Sequence, residues 1–194
     1  MAKGSMLSTV SRIAAVLTLI CTLVAALLSF VYSATHEQYE QNMLNAKREA
    51  IAALFDCEAV TTEELPIEDF AVEELYRVTD SDTGALLGYC AGVRSAGFGG
   101  DIDMMVATQP SGEMLGVKIV SMSETPGLGS RVGEDEHLSQ YQGDFWYGHD
   151  KDLTLGEDID AISGATISSR AVNEGVNRAL EALLSYRWGE EGAQ

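Results

Sequence analysis

An uninterrupted apolar run near the N-terminus constrains this chain more than any other feature. Residues 13–32 are 20 consecutive positions with no charged residue, no proline and no glycine. A helix of about 20 apolar residues is long enough to cross the hydrocarbon core of a bilayer. The sequence therefore predicts an N-terminal membrane-spanning helix.

A cleavable signal peptide is the competing interpretation of this run. Signal peptides also begin with basic residues, but their apolar stretch is usually only about 7–15 residues long. Val31, Tyr32 and Ser33 make a poor cleavage site. The length of the run therefore favours a retained membrane anchor, which would contact membrane lipid directly.

Charge on the two sides of the run predicts its orientation. Lys3 and Arg12 precede it, and the first acidic residue of the chain is Glu37. Because basic residues stay on the cytoplasmic side, we expect a single-pass protein of the inner or plasma membrane with a cytoplasmic N-terminus. The extracytoplasmic part would carry all 30 acidic residues and 10 of the 12 basic ones. Such acidity argues against a nucleic-acid partner.

Three regions are predicted along the chain. Residues 1–35 are the N-terminal segment and membrane helix, residues 36–70 a juxtamembrane helix and linker, and residues 71–190 the folded domain. Strong helix formers predict that the helix continues over residues 37–55. Its apolar residues recur at helical spacing and form one stripe: Met43, Leu44, Ala50, Ile51, Leu54 and Phe55. Residues 61–69 are acidic, contain Pro66 and are interpreted as a linker or an irregular crossing.

The folded domain is predicted to be α+β, with a small, mainly antiparallel sheet and flanking helices. Four strands are expected, at residues 74–78, 85–93, 101–108 and 114–122. Pro110, Ser111 and Gly112 indicate a hairpin turn between the last two strands. A loop over residues 123–133 and a short helix over residues 135–142 should follow. The last element is an amphipathic helix over residues 167–186, with a stripe formed by Val172, Val176, Ala179, Leu180, Leu183 and Leu184.

The segment before this last helix contains the most informative motif, D-A-I-S-G-A-T at residues 160–166. Small residues let a backbone approach a ligand closely, and free amides at a helix N-terminus attract an anion such as phosphate. Ser and Thr are also common as ordinary helix caps. On these grounds alone, a phosphate site and a simple cap both remain open.

The segment resembles the flavinylation motif D-x-x-[ST]-G-A-[TS] of FMN-binding domains. In that family a flavin transferase attaches FMN through its phosphate to the last hydroxyl of the motif. The resemblance implies that Thr166 is the acceptor. It also implies that Asp160, Ser163, Gly164 and Ala165 are recognition positions.

Two further segments are similar to the same family. Residues 124–129 resemble its E-T-P-G-L-G loop, which implies flavin contacts by Glu124, Thr125, Gly127, Leu128 and Gly129. A structural Pro-Gly turn is the alternative for this loop. Residues 97–102 resemble its G-[YF]-G-G-x-I segment, with Phe98 at the aromatic position. A flavin contact and a plain bulge or turn are equally open there.

The three motifs in order behind an anchor resemble the G subunits of Rnf-type ion-translocating ferredoxin:NAD oxidoreductase complexes. That resemblance implies a membrane-anchored electron-transfer subunit carrying covalent FMN, with the other membrane subunits of the complex as partners. The chain would be a redox subunit rather than an enzyme on its own. Alternatives are a C-type subunit of a sodium-translocating NADH:quinone reductase and a stand-alone membrane-anchored flavin-binding module.

Other reactive side chains give little signal. We expect no catalytic acid, base or nucleophile, and the spacing of His36, His137 and His149 suggests no metal site. Cys57 and Cys90 could form a disulfide outside the cytoplasm or remain two thiols, and the sequence leaves both open. The aromatic pair Trp146 and Tyr147 is interpreted as core or interface.

Overall fold

The computed structural model describes residues 2–57, 59–67, 72–143 and 152–191. The chain divides into two compact units, residues 1–44 and residues 45–194. The first unit consists of the N-terminal part of helix α1, which runs over Ala2–Leu54. Trp146 and Tyr147 lie outside the described residues, and the predicted boundaries at residues 35 and 70 stay predictions.

Helix α1 contains the predicted membrane segment. Among the described residues, one helical stretch, Val10–Leu54, is long and apolar enough to cross a membrane, with a mean hydropathy of 2.6 in its most apolar window. None of that window is buried within the structure. Large apolar side chains therefore face outward all round the helix, as in a helix whose surroundings are lipid.

The second unit is built on a five-stranded antiparallel sheet with strand order β1-β2-β3-β4-β5. The strands are β1 Val60–Glu64, β2 Glu74–Asp80, β3 Leu86–Ala96, β4 Asp101–Thr108 and β5 Met114–Met122. After β5 come a 3-10 helix over Gly129–Gly133, helix α2 over Asp135–Leu138, a 3-10 turn over Ser139–Tyr141 and helix α3 over Thr166–Glu191. The α+β class is confirmed.

Helix α3 covers one face of the sheet. Its predicted stripe is confirmed, because all six of its members are buried, and five of them pack against the main core: Val172, Val176, Ala179, Leu180 and Leu183. Alternate residues of β3 and β4 point into the same core, among them Val93 and Met104. Burying each large aliphatic side chain contributes about 1.5–3 kcal/mol, and this face holds the larger of the two hydrophobic clusters.

The last turns of α1 cover the other face of the sheet. Ala50 and Ile51 are buried there against a smaller cluster that includes Cys90 and Met105. Nearby, Lys47 Nζ lies 2.6 Å from Glu74 Oε1. The predicted stripe is confirmed at its C-terminal end, whereas the side chain of Leu44 is 54% exposed. Because both faces of β3 and β4 are covered, these strands are apolar on both sides.

Two predictions about the connections need correction. The linker predicted for residues 61–69 is wrong in its first half, because β1 lies there and pairs with β2. Val60, Thr61 and Thr62 are β-branched and suit a strand, but β1 is an edge strand and most of it faces solvent, so its sequence is polar. The loop predicted for residues 123–133 is shorter than expected, because Gly129–Gly133 forms a 3-10 helix.

The cysteines are unpaired in the structure. Cys90 is buried, and burial raises the pKa of its thiol. Cys57 is partly exposed, and its thiol lies 3.5 Å from the carbonyl oxygen of Ala59 and 3.8 Å from Asp80 Oδ2. Between these two residues, the structure therefore shows two thiols in different surroundings.

Candidate functional site

The N-terminus of α3 presents a hydroxyl to solvent. Thr166 is the first residue of the helix and is exposed, whereas Ser168 and Ser169 in the same turn are buried. Ser169 Oγ accepts a hydrogen bond from the backbone N–H of Ile162 at 3.1 Å. This bond fixes the incoming chain. The first amides of a helix lack acceptors within it and can donate to an anion beside Thr166, whereas the amide of Ser169 already donates to the carbonyl oxygen of Ala165 at 2.9 Å.

Gly164 shapes the turn that leads into this helix. Its φ is +83°, a left-handed conformation that other residues adopt only with strain. The N–H of Ala165 donates to the carbonyl oxygen of Ile162 at 2.9 Å and closes the turn. A Cβ placed on Gly164 would lie 3.1 Å from Leu128 Cδ1. The small residues of the motif therefore let the loop containing Leu128 lie directly beside the helix N-terminus.

A buried carboxylate joins the two glycine-rich loops. Glu124 is 8% exposed, and its Oε1 accepts hydrogen bonds from the backbone N–H groups of Phe98 at 2.7 Å and Gly99 at 3.2 Å. Its Oε2 is buried and has no hydrogen-bond partner among the described residues. A Cβ on Gly129 would collide with this second oxygen, which explains the glycine. The carboxylate thus holds the turn after β3 against the loop after β5.

These pieces enclose a cleft of about 340 Å³, which we call the first cleft. Three apolar side chains that line it are unusually exposed, namely Phe98 at 70%, Leu128 at 45% and Ile167 at 52%. Its other lining residues are Glu124, Thr125, Gly129, Gly164, Ala165, Thr166 and Ser168. A ligand with a flat apolar part would cover these side chains, while an anionic part could reach the start of α3.

A second cleft, of about 460 Å³, is lined in part by residues 160–163, which directly precede the residues of the first cleft in the sequence. It is lined by Arg131, Glu134, Glu136, His137, Gln140, Asp160, Ala161, Ile162 and Ser163. His137 is buried, and burial lowers the pKa of its imidazole. No pattern in the sequence indicated this cleft, because its residues come from α2, the adjoining 3-10 segments and the stretch before α3.

The predicted site residues fall into three places. The first cleft contains Glu124, Thr125, Leu128, Gly129, Gly164, Ala165 and Thr166. Asp160 and Ser163 line the second cleft instead. Gly127 is exposed in its loop, and its N–H donates to Ser130 Oγ at 2.9 Å. The roles assigned to all of these residues stay predictions.

Two apolar residues of the first cleft were not among the predicted site residues. The sequence did offer a sign of ligand contact at Phe98, because an aromatic residue inside a glycine turn has no core to enter there. A flavin contact had been left open for this segment. Ile167 had a weaker one, because it lies off the buried stripe of α3 although it is large and apolar. Exposed apolar side chains that cluster in a cleft commonly mark a binding site.

The first cleft fits FMN by the chemistry of its residues. The exposed Thr166 hydroxyl and the helix N-terminus suit a phosphate, and the exposed apolar side chains suit an isoalloxazine ring. The unpartnered Glu124 Oε2 can accept a hydrogen bond from a donor on such a ligand. Among the described residues, no cluster of His, Cys, Asp and Glu side chains could hold a metal ion.

Comparison with known proteins agrees with this fit. A family profile described as the FMN-binding domain matches residues 97–181, which include all three motifs. The crystal structure of Shewanella oneidensis NqrC has a similar fold, with a TM-score of 0.51 and 23% identity, over 66% of this chain and 70% of that one. Fold and site together define an FMN-binding domain that follows an N-terminal apolar helix.

Two curated relatives narrow the assignment. The G subunit of the ion-translocating oxidoreductase complex of Methanosarcina acetivorans is 30% identical over 191 residues, which are 94% of this chain and 97% of that protein. The G subunit of the proton-translocating ferredoxin:NAD(+) oxidoreductase complex of Clostridium ljungdahlii is 35% identical over 54% of this chain and 57% of its own length. This chain belongs to the family of G subunits of ion-translocating oxidoreductase complexes.

Proposed function

We propose that this chain is a membrane-anchored electron-transfer subunit that carries FMN bound through its phosphate to Thr166. One observation carries the proposal. Three segments that are distant in sequence, around Phe98, Glu124 and Thr166, meet at a single cleft, and the exposed hydroxyl lies where a helix N-terminus favours phosphate.

The bond at Thr166 requires an activated flavin phosphate. A flavin dinucleotide meets this need, because its FMN phosphorus already carries a nucleoside monophosphate as leaving group. The hydroxyl oxygen of Thr166 bonds to that phosphorus, the bond to the nucleoside monophosphate breaks, and the hydroxyl proton passes to solvent. We propose that a separate flavin transferase catalyses this exchange, in which no electrons are transferred.

The remaining residues of the first cleft would hold the rest of the cofactor. Bound FMN supplies the redox chemistry, and the protein sets its position and potential. Phe98, Leu128 and Ile167 offer apolar surface that excludes water from the ring. Glu124 Oε2 offers a hydrogen-bond acceptor inside a buried wall. Attachment through the phosphate would keep the cofactor in place while leaving the ring free of covalent bonds.

The attachment is tested with protein purified from its native membranes. After denaturation, the wild-type chain should show in-gel flavin fluorescence and an intact mass increased by one FMN less one water. Thr166→Ala should lack both signals. Absence of flavin from native wild-type material would refute the covalent attachment.

Two matched variants locate the acceptor more sharply. Thr166→Ser keeps a hydroxyl at the same position and should still acquire FMN, although at a different rate. Thr125→Val removes a hydroxyl from the same cleft without touching the proposed acceptor, so its mass increment should remain. A mass increment that disappears in Thr125→Val and persists in Thr166→Ala would move the attachment to Thr125.

We also propose that α1 spans the membrane once, with the FMN-binding domain outside the cytoplasm. Lys3 and Arg12 flank the apolar run on its N-terminal side, and basic residues remain cytoplasmic. A C-terminal alkaline phosphatase fusion should be active, and a fusion to a fluorescent protein that matures only in the cytoplasm should be dark. The opposite pair of results would contradict this orientation.

The proposed partners are the other membrane subunits of an ion-translocating oxidoreductase complex. Family membership supports this partnership, and the outward-facing apolar side chains of α1 are available to lipid and to neighbouring helices. Gentle solubilisation should copurify the chain with polytopic membrane subunits. A functional monomer that retains its flavin without them would favour a stand-alone flavin-binding module.

A further inference from the structure

The stretch of residues 152–165 before α3 is held by backbone turns of its own and by side chains of neighbouring elements. It belongs to no helix or strand, apart from an isolated bridge between Leu155 and Ile159. Asn177 bonds to both the N–H and the carbonyl oxygen of Leu153, at 2.9 and 3.0 Å. Ser169 holds Ile162 further along. Besides its own backbone turns, the stretch is therefore tied to α3 by a few individual side-chain hydrogen bonds.

Gln140 provides the bond that lies at the start of the motif. Its Oε1 accepts the backbone N–H of Asp160 at 2.7 Å. Because an N–H can only donate, this bond fixes which end of the amide faces Asp160. The Nε2 then faces His137, at 3.3 Å from its carbonyl oxygen and 3.1 Å from its Nδ1. Gln140 thus ties the motif to the short helix α2.

The bond between Gln140 and Asp160 belongs to the second cleft. Asp160 and Ser163 line the second cleft beside Gln140, whereas Thr166 lines the first cleft. The bond to Gln140 uses only the backbone of Asp160, so the carboxylate of Asp160 stays available to a partner. A partner in the second cleft could contact Asp160 and Ser163 while the hydroxyl of Thr166 reacts in the first cleft.

We propose that Gln140 is a positioning residue for the attachment of FMN to Thr166. It holds the backbone of Asp160 so that Asp160 and Ser163 are presented together in the second cleft, where the flavin transferase contacts them. This inference rests on the proposed phosphoester at Thr166. It adds a residue outside the motif, 20 positions before Asp160, that the attachment reaction depends on.

The test measures the initial rate of attachment in the full-length chain. The chain is expressed in a host whose flavin transferase gene is deleted, transferase expression is then induced, and in-gel flavin fluorescence is followed per amount of protein. Gln140→Met keeps the size of the side chain but removes the acceptor for Asp160. We expect attachment to slow about five- to tenfold, the factor that corresponds to one hydrogen bond of ordinary net strength.

Asn177→Leu is the matched control for general loosening of the stretch. It removes two hydrogen bonds to Leu153, outside the motif. Thermal unfolding of both solubilised variants before attachment measures their stability. If Gln140 positions the motif, FMN attachment should be far slower in Gln140→Met than in Asn177→Leu. This should hold even if Asn177→Leu is equally stable or less stable. Equal slowing at equal stability would overturn the proposal.

Two other substitutions of Gln140 test the same hydrogen bond if the Gln140→Met protein is not produced in sufficient amount. Gln140→Glu keeps an acceptor for the N–H of Asp160 but loses the Nε2 donor that faces the carbonyl oxygens of His137 and Asp160, so it should attach FMN faster than Gln140→Met and more slowly than the wild type. Gln140→Asn is shorter by one carbon, cannot reach Asp160 and should be slow. A slow Gln140→Glu together with a fast Gln140→Asn would contradict the role of the hydrogen bond.

A double-mutant cycle with Asp160→Ala tests whether Gln140 acts through Asp160. If it does, the effect of Gln140→Met should become smaller once the Asp160 side chain is gone, because the bond to Gln140 then positions only Ser163 for the transferase. Full additivity would overturn the proposal. A wild-type chain that never gains fluorescence would refute the phosphoester itself, whereas a labelled wild type with an equally fast Gln140→Met refutes only the role of Gln140.

Discussion

The two clefts that the motif of residues 160–166 helps to line are built from different kinds of residue. The first is lined by exposed apolar side chains, small residues and one buried carboxylate, that of Glu124. The second is lined largely by charged and polar side chains, among them an ion pair in which Arg131 Nε lies 3.8 Å from Glu134 Oε2. An exposed ion pair of this kind contributes little to stability. The first cleft suits a small ligand with an apolar ring, and the second suits a protein surface.

The difference also shows how each cleft tolerates change. The wall of the first cleft depends on a close-packed carboxylate and on glycines that leave it room, so substitutions there should alter the shape of the cleft. Most lining residues of the second cleft are exposed or partly exposed, with His137 as the buried exception. Substitutions there should leave the fold intact. Three predictions follow from this contrast, in order of decreasing effect.

Glu124→Leu should have the largest effect on the first cleft. It removes the charged acceptor of the backbone N–H groups of Phe98 and Gly99, and a hydrogen bond to a charged group contributes about 1.5–3 kcal/mol. We expect a loss of about 2–4 kcal/mol in the free energy of unfolding, together with a lower FMN content. Denaturant unfolding of the solubilised chain and flavin fluorescence measure the two effects.

The charged second cleft provides the control for this substitution. Glu136→Leu removes an exposed carboxylate and should change the free energy of unfolding by less than about 0.5 kcal/mol. Glu124→Gln keeps an acceptor for the same two N–H groups and should lie between the wild type and Glu124→Leu. Equal free energies of unfolding for Glu124→Leu and Glu136→Leu would show that the two clefts tolerate substitution equally well.

Leu128→Asp should change the redox properties rather than the stability. Leu128 is 45% exposed in the first cleft, so the new carboxylate can be accommodated. A negative charge near the proposed ring disfavours the addition of electrons, and about 1–3 kcal/mol of such repulsion corresponds to a midpoint potential lower by about 20–60 mV. Redox titration of the flavin spectrum measures the shift.

Leu128→Asn separates charge from shape in the same experiment. It is close in size to Leu128→Asp and carries no charge, so its midpoint potential should stay within about 20 mV of the wild-type value. An unchanged potential and electron-transfer rate in Leu128→Asp would rule out a position of Leu128 beside the ring.

His137 should give the smallest effect, and only over a narrow pH range. Burial lowers the pKa of its imidazole in the folded chain, so the unfolded chain binds the proton more readily. Its stabilising contribution is therefore complete above about pH 6.5 and is lost as the pH falls towards the lowered pKa. One proton limits the slope to about 1.4 kcal/mol per pH unit.

The measurement compares the wild type with His137→Phe, which keeps a ring beside Tyr141. Between about pH 7.5 and 5.5, the wild type should lose stability on acidification relative to the variant. His36 is present in both chains and cancels in the comparison. Parallel stability curves for the two proteins would show that His137 does not titrate differently in the folded state.

Periodicity and turn residues predicted most of the framework. The bounds of β4 and β5 and the buried stripe of α3 followed from apolar spacing, because a buried face repeats every two residues in a strand and about every 3.6 in a helix. Strand β1 was not predicted. As an edge strand it is held by backbone hydrogen bonds to β2, and such bonds leave no mark on side-chain pattern.

The site was predictable only in part, for a similar physical reason. Thr166 could be placed at a helix N-terminus, because that follows from its own neighbourhood in the sequence. The contact between Glu124 and Phe98, and that between Gln140 and Asp160, join a side chain to a distant backbone group. Every residue except proline has the same backbone amide, so the sequence does not indicate which amide a distant Glu or Gln side chain will bind.

The packing of the last turns of α1 against the sheet bears on how the domain can be produced without its apolar segment. The second compact unit begins at Asn45, and Lys47, Ala50 and Ile51 are part of its packed structure. A shortened chain starting at β1 would expose the Cys90 side of the sheet and leave Glu74 without its cation. A water-soluble version should therefore start at or before Asn45, so that it retains the last turns of α1 although these belong to the same helix as the apolar segment.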